Sequence, residues 1–288
     1  MIILNEKQYA RRCLEENSLG ENTYITLSVI AKYYYFDCGY KKKKIKELLK
    51  EFLTTNYIAF SKEENAWNNN IEKIVSKVNK QKLYEISGVK ITKAEIDRIQ
   101  TLQNKLLEKL AFTMLCLAKF HNAKNENNNG WVTTLGKELL NLSNINCPQS
   151  RLNIHINNLY EAGLLDLPLR CDNTNCRINF IDNDGDEELF VSDFRNLGFE
   201  YLLYCGENYI RCAECGALTK GTKNKRKKYC NKCSAYQPLN TKSMICEECG
   251  VEFTIKPLNN RSRRCPQCQR IKQLEYQRKS MSKIRNVK

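Results

Sequence analysis

Histidine is scarce in this chain: His121 and His155 are the only two among 288 residues. The sequence contains no H-x-x-x-H or H-x-E pairing, no phosphate-binding G-x-x-x-x-G-K-S/T loop and no G-x-G-x-x-G stretch. The common sequence signatures of catalytic metal, nucleotide and dinucleotide sites are therefore missing, and a protein that is not an enzyme is expected. Long apolar runs are missing too. The longest nearly uncharged one, Leu110 to Ala118, is far short of the roughly 20 residues that span a bilayer. The opening residues MIILNEKQYARRC bring in charge before any apolar stretch of signal-peptide length, so secretion is not expected. These absences predict a cytoplasmic protein without a membrane partner.

Against these absences stand two surpluses. The first is positive charge: the formal net charge is +15, and it is unevenly placed. Residues 211–288 hold 20 Lys/Arg and 5 Glu, so this last quarter accounts for the whole excess, while residues 1–210 are balanced. Such asymmetry points to a polyanionic partner, usually nucleic acid. The second surplus is cysteine. Eight of the 15 fall between positions 212 and 268 in four C-x-x-C pairs. In a reducing compartment paired cysteines read as metal ligands rather than as a disulfide framework. The other seven, Cys13, Cys38, Cys116, Cys147, Cys171, Cys176 and Cys205, are scattered.

With 42% hydrophobic and 27% charged residues, most of the chain can build ordinary cores. The fold class expected is mainly α, with an α+β middle domain and two small C-terminal β-hairpin modules around the cysteine pairs. Four domains follow: a helical domain over 1–92, the α+β domain over 93–205, one cysteine module over 206–240 and a second over 241–288 with a basic C-terminal helix. In the first domain, Asn5 caps a helix ending near Gly20, a second runs from Thr26 to Cys38, and a third from Lys41 to Thr54. Ile71, Ile74, Val75 and Val78 mark a weaker fourth. Lys41 to Lys44 open the third helix, where the macrodipole disfavours cations; a solvated helix end explains them better than a phosphate-facing patch.

The middle segment carries a more specific order. A long amphipathic helix bears Ile96, Ile99, Leu102, Leu106, Leu110, Met114 and Leu117. A polar loop follows, then a short strand at Trp131 and Val132, a helix with Leu135, Leu139 and Leu140, a turn to Pro148, and a helix that stops at Gly163. The buried stripe of this last helix is Leu152, Ile156, Leu159 and Tyr160. LLDLPLR, CRINFI and EELFVS then read as hairpin strands separated by DNTN and DNDGD turns. This order resembles a winged helix-turn-helix domain over about residues 95–195. The resemblance implies that the helix after Pro148 enters the major groove and that the hairpin wing touches the backbone. Its candidate base-reading residues are Arg151, Asn153, Ile154, Asn157 and Asn158, since Asn pairs with adenine, Arg with guanine and an apolar side chain meets a thymine methyl. His155 falls near the buried edge and reads as a packing residue. One number opposes DNA reading: residues 130–205 hold 5 Lys/Arg against 11 Asp/Glu, which supplies little of the counterion-release energy that DNA binding uses. Many winged helices are protein-contact modules instead.

The cysteine modules are the strongest motif. Cys212-x-x-Cys215 is followed by Cys230-x-x-Cys233, and Cys246-x-x-Cys249 by Cys265-x-x-Cys268. They form an internal repeat sharing C-x-E-C-G at an offset of 34 residues. Both resemble zinc ribbons, and a helical continuation after Cys268 leaves a treble-clef-like variant open in the second. Gly216 and Gly250 sit where the backbone turns tightly and a positive φ is expected. Two structural zinc ions are implied, because four thiolates close the coordination shell that a catalytic zinc keeps open. Filling both sites lowers the net charge from +15 to +11. The modules are too poor in apolar residues for cores of their own, so zinc binding drives their folding.

Candidate phosphate contacts are Lys223, Lys225, Arg226, Lys227 and Lys228 in the first loop, Arg261, Arg263 and Arg264 in the second, and Arg270 and Lys272 at the start of the basic tail. Tyr209, Tyr229 and Phe253 are available for base stacking or for covering the zinc sites. The acidic run Asp182, Asp184, Asp186, Glu187 and Glu188 lacks the glycine position of an EF-hand loop and reads as a solvated turn. The layout as a whole resembles zinc-ribbon proteins of phages and mobile elements of Gram-positive bacteria, which implies a bacterial or phage-infected cytoplasm. The function expected is that of a zinc-containing nucleic-acid-binding regulatory protein, with DNA favoured over RNA and a role in transcription regulation. An adaptor or inhibitor that binds a transcription or replication complex, through the acidic middle domain, is the alternative.

Overall fold

Asparagine side chains start three of the principal helices. Asn5 caps α1 (Glu6–Glu15), Asn22 caps α2 (Thr23–Phe36), and Asn104 caps α6 (Lys105–Lys124), each accepting backbone N–H bonds from the first turn. The computed structural model describes residues 2–57, 60–134, 136–168, 175–222, 224, 227–236, 242–255 and 263–285. The chain divides into two compact units, Met1–Cys230 and Asn231–Lys288.

Two apolar clusters occupy the first unit. The N-terminal one joins α1, α2, α3 (Lys42–Asn56) and α4 (Phe60–Lys77) around Leu27, Ile30, Ile45, Leu49, Leu53 and Ile71. The lysine-rich start of α3 is partly structural: Lys42 Nζ donates to Ser76 O and Asn79 Oδ1 at the end of α4, where the carbonyl dipoles favour a cation.

The second cluster is built around α6, in which residues from Leu110 to Phe120 are buried without a break. The single long helix expected over 96–117 is two. Helix α5 (Lys93–Gln100) ends at Thr101, Gln103 takes a left-handed φ of +48°, and Asn104 starts α6 afresh. Around α6 pack strand β1 (Val89–Thr92), β2 (Trp131–Val132), α7 (Gly136–Leu142), α8 (Gln149–Glu161), β3 (Leu165–Asp166), β4 (Cys176–Ile178), β5 (Glu187–Val191) and α9 (Leu197–Tyr204). The middle sheet is antiparallel with order β2-β4-β3, Val132 opposite Cys176 and Leu165 opposite Ile178.

EELFVS does not extend this sheet. Strand β5 pairs with β1 instead, Val89 opposite Val191 and Ile91 opposite Leu189, so that the buried Val89, Ile91 and Val191 face α6. Helix α9 is an addition that the sequence pattern did not mark, because LGFEYLLY is apolar on nearly every side. It lies so close to the end of α7 that a Cβ on Gly198 would come within 1.9 Å of Ser143 O. Leu135 and residues 169–174, which include Cys171 and most of the DNTN turn, lie outside the described residues.

A buried ion pair fixes the centre of this body. Glu95 closes a capping box with Thr92, accepts from Lys119 Nζ at 2.8 Å and from Asp182 N at 2.7 Å. Lys119 Nζ also donates to Lys90 O and Asp182 O. The pair therefore joins β1, α5, α6 and the acidic turn with its polar atoms satisfied. Removing one partner strands the other charge in the core. Lys119→Ala is expected to cost about 3–5 kcal/mol in urea unfolding; a loss below about 1 kcal/mol would contradict this role of the pair.

Candidate metal centres and the basic segment

Each cysteine module begins with a short antiparallel hairpin. In the first, β6 (Tyr209–Arg211) pairs with β7 (Leu218–Lys220); in the second, β8 (Lys242–Ile245) pairs with β9 (Glu252–Ile255). The turn between the strands holds the first C-x-x-C pair. Cys212 N donates to Ala217 O and Gly216 N to Cys212 O; Cys246 N donates to Val251 O and Gly250 N to Cys246 O. Gly216 and Gly250 have φ of +70° and +68°, the left-handed conformation this turn requires. A further bond fastens each turn to the far side of its module, Ala213 N to Lys228 O and Glu247 N to Arg263 O. The sequence repeat is thus a repeat of hydrogen bonds.

The second pairs sit elsewhere than a zinc ribbon would put them. Cys233 lies in α10 (Asn231–Tyr236), directly after Cys230, and Cys268 lies in the first turn of α11 (Pro266–Arg285), directly after Cys265. Each module therefore joins a hairpin turn to a helix start, so the helical continuation left open for the second module is found in both. Pro266 suits this: its fixed φ and missing N–H fit the first helical position.

Cys212, Cys215, Cys230 and Cys233 form one group and Cys246, Cys249, Cys265 and Cys268 another; within each, the sulfurs all lie within 4.8 Å of one another. Cys215 Sγ and Cys230 Sγ are 3.8 Å apart, and Cys249 Sγ and Cys265 Sγ are 3.7 Å apart. A tetrahedral zinc with Zn–S bonds of about 2.3 Å separates its sulfurs by about 3.8 Å, so the donor set fits the ion. Backbone groups prepare the thiolates. The N–H groups of Cys215 and Cys230 hold the Cys212 thiol down at about 6, and those of Cys265 and Cys249 do so for Cys246. Hydrogen bonds to its sulfur neighbours Cys249 and Cys265 hold the proton on Cys268 and push its thiol up to about 12, a proton that a bound divalent cation would displace. Among the described residues no other group of His, Cys, Asp and Glu gathers in this way. In the acidic run, Asp182 Oδ1 accepts from Asp184 N and Gly185 N, which makes the segment a turn.

The basic residues divide by what they touch. Lys227 Nζ is turned inward to Thr219 Oγ1 and Lys220 O. Arg263 faces Glu247 at 3.6 Å, and Arg264 and Lys272 both face Glu248, at 2.9 and 3.5 Å. Lys228 and Arg270 are exposed and carry no ion pair among the described residues. Lys223, Lys225, Arg226 and Arg261 lie outside the described residues. Tyr209 is committed to packing, its ring 4.7 Å from that of Phe199. The hairpin of the first module is anchored on α9: Arg211 Nη2 donates to the buried Glu200 at 2.6 Å and Arg195 Nη2 to Cys215 O at 2.9 Å. Sequence pattern gave no sign of this anchoring.

On α8, Arg151, Asn153, Ile154, Asn157 and Asn158 are all exposed, and the side chain of Asn157 donates to Glu161 at 2.8 Å. Tyr160, expected in the buried stripe, is 49% exposed, whereas Leu152, Ile156 and Leu159 are buried. His155 is half-buried at the edge of that stripe, and its Nδ1 has no hydrogen-bond partner among the described residues. No helix among the described residues is long and apolar enough to cross a membrane. Comparison with protein-family models, with curated proteins and with solved structures finds no match, so the resemblance to phage proteins has no relative behind it.

Two zinc ions per chain are expected by elemental analysis of protein folded with zinc. Cys268→Ser is expected to lower the count to one while leaving the first centre filled. Retention of two ions by that variant would contradict the ligand assignment.

Proposed function

We propose that this chain is a zinc protein that binds nucleic acid, DNA before RNA, through its basic C-terminal segment. The observation that carries this reading is coincidence in sequence: the quarter of the chain that holds the whole +15 excess also holds both four-cysteine groups. A metal-closed module fixes its loops at little entropic cost, and loops so fixed present cations to phosphates without first having to be ordered. Residues 231–288 alone carry 13 Lys/Arg against 4 Glu. Of the candidate phosphate contacts, Lys228 and Arg270 are exposed and carry no ion pair among the described residues.

The body would orient the complex. The order α6, β2, α7, α8, β3, β4, with β4 between its two partners in the sheet, matches the order expected of a winged helix and supports that reading of residues 105–178. In that reading α8 is the recognition helix and its exposed Arg151, Asn153, Ile154, Asn157 and Asn158 face the groove. The same helix supports the second reading, a protein-binding adaptor. Ile154 and Tyr160 are 58% and 49% exposed in the segment 130–205, which holds 5 Lys/Arg against 11 Asp/Glu, and such a surface suits a partner with an apolar, basic face. A role in transcription regulation is compatible with either reading, and neither requires a catalytic group.

Fluorescence anisotropy of the zinc-loaded protein with random duplex DNA across a salt series tests the proposal. Affinity is expected to fall steeply and linearly with salt on a log–log scale. Lys228→Ala with Arg270→Ala is expected to flatten the slope by about one for each phosphate left without its cation. Absence of binding at low salt would refute nucleic-acid binding by the tail, and a complex that survives high salt and nuclease would favour the adaptor.

A further inference from the structure

Two ammonium groups approach the ring of Tyr84: Lys124 Nζ is 4.6 Å from its centroid and Lys32 Nζ 5.7 Å. The two lysines are not equivalent. Lys32 is neutralised by Glu6, whose other carboxylate oxygen accepts from Tyr84 N at 3.0 Å. Lys124, in the last turn of α6, is half-buried and touches aromatic rings, Tyr84 and Phe120, with no carboxylate within ion-pair distance among the described residues. Burial holds its ammonium below the usual lysine range; the more distant Glu6 opposes this and the neighbouring Lys32 adds to it. A cation kept partly out of water without a counter-ion is a cost that a bound anion would remove.

Lys124 lines an open cleft of about 1030 Å³ between the N-terminal helices and the end of α6. Lys80 and Lys82, which follow α4, line it as well, and both are exposed and without an ion pair among the described residues. Three lysines without an ion pair among the described residues therefore line one space, from two separate parts of the first unit; of the carboxylates that line it too, Glu6 is paired with Lys32, which leaves Glu126 against the three. Its size is at the upper end of the roughly 300–1,000 Å³ typical of small-molecule sites. We propose that this cleft binds a phosphate-bearing small molecule of about nucleotide size, its phosphates held by Lys124, Lys80 and Lys82. Ammonium groups suit this role because they act as point charges on phosphate oxygens. The site is independent of the basic tail and of the nucleic-acid reading.

Calorimetric titration of the zinc-loaded full chain with ATP, and separately with inorganic tripolyphosphate, tests it. Because the tail also attracts anions, Lys228→Ala/Arg270→Ala, which removes two exposed tail cations that carry no ion pair among the described residues, serves as the control. Binding by the wild type and by the control, with affinity reduced about tenfold or more in Lys124→Met and in Lys80→Ala/Lys82→Ala, supports the proposal. Tripolyphosphate binding as tightly as ATP with the same reductions also supports it and assigns recognition to the phosphates alone. No binding of either probe by the wild type, a reduction confined to the control, or unchanged binding by Lys124→Met overturns it. Lys124→Met also separates a binding role from a structural one. Without ligand its melting temperature is expected to be unchanged or higher, because it removes a half-buried, unneutralised charge; a fall of several degrees would make Lys124 structural and overturn the proposal.

Discussion

Four thiolates cannot crowd into one small space without a cation among them. This chain builds that situation twice, with the sulfurs of each group inside 4.8 Å of one another. Everything else in the cysteine modules is arranged around the constraint. Strands of three or four residues bring the chain to the turn, a left-handed glycine closes it, and backbone N–H groups point at sulfur to favour the thiolate. Hairpins this short, with so few apolar residues, are not stable by themselves. Zinc binding, worth on the order of 10 kcal/mol or more in such modules, would supply what an apolar core supplies elsewhere.

The first unit is held by the opposite means. Its stability comes from α6, buried over most of its length, and from the Lys119–Glu95 pair, which ties four segments together through hydrogen bonds to both partners. The two regimes meet at α9. Glu200 and Arg195 fasten the first cysteine hairpin to the apolar body, so the Cys212–Cys215 turn inherits some rigidity from a core that owes nothing to metal. In the second module the thiolates are prepared within the module itself, by the backbone N–H groups of Cys265 and Cys268 at the start of α11. Charge follows the same division: the apolar body is balanced or negative, and the metal-braced quarter carries the positive excess.

The cysteine ligands were legible in the sequence because spacing alone constrains them; two residues between cysteines leave little choice but convergence on one metal. The order of helices and strands in the middle domain was also legible, since Leu152, Ile156 and Leu159 recur at helical spacing and Pro148 and Gly163 bound them. Three features were not. The break between α5 and α6 falls inside an unbroken apolar period, and only Asn104 as a cap and Gln103 in a left-handed conformation mark it. The pairing of β5 with β1 spans about 100 residues, a distance over which local pattern says nothing. Helix α9 lacks a polar face, so it shows no amphipathic signal. The Lys124 cleft was hidden for the same reason as the β1–β5 pairing: its lysines come together only once the N-terminal helices meet α6.

The central claim is that metal, and not packing, is the core of the two cysteine modules. Hydrogen exchange of the full chain, with zinc and after its removal by a chelator, tests it most directly. Protection of the 209–220 and 242–255 hairpins is expected to vanish without zinc while that of α6 persists. Hairpins that stay protected in the metal-free chain would contradict the account.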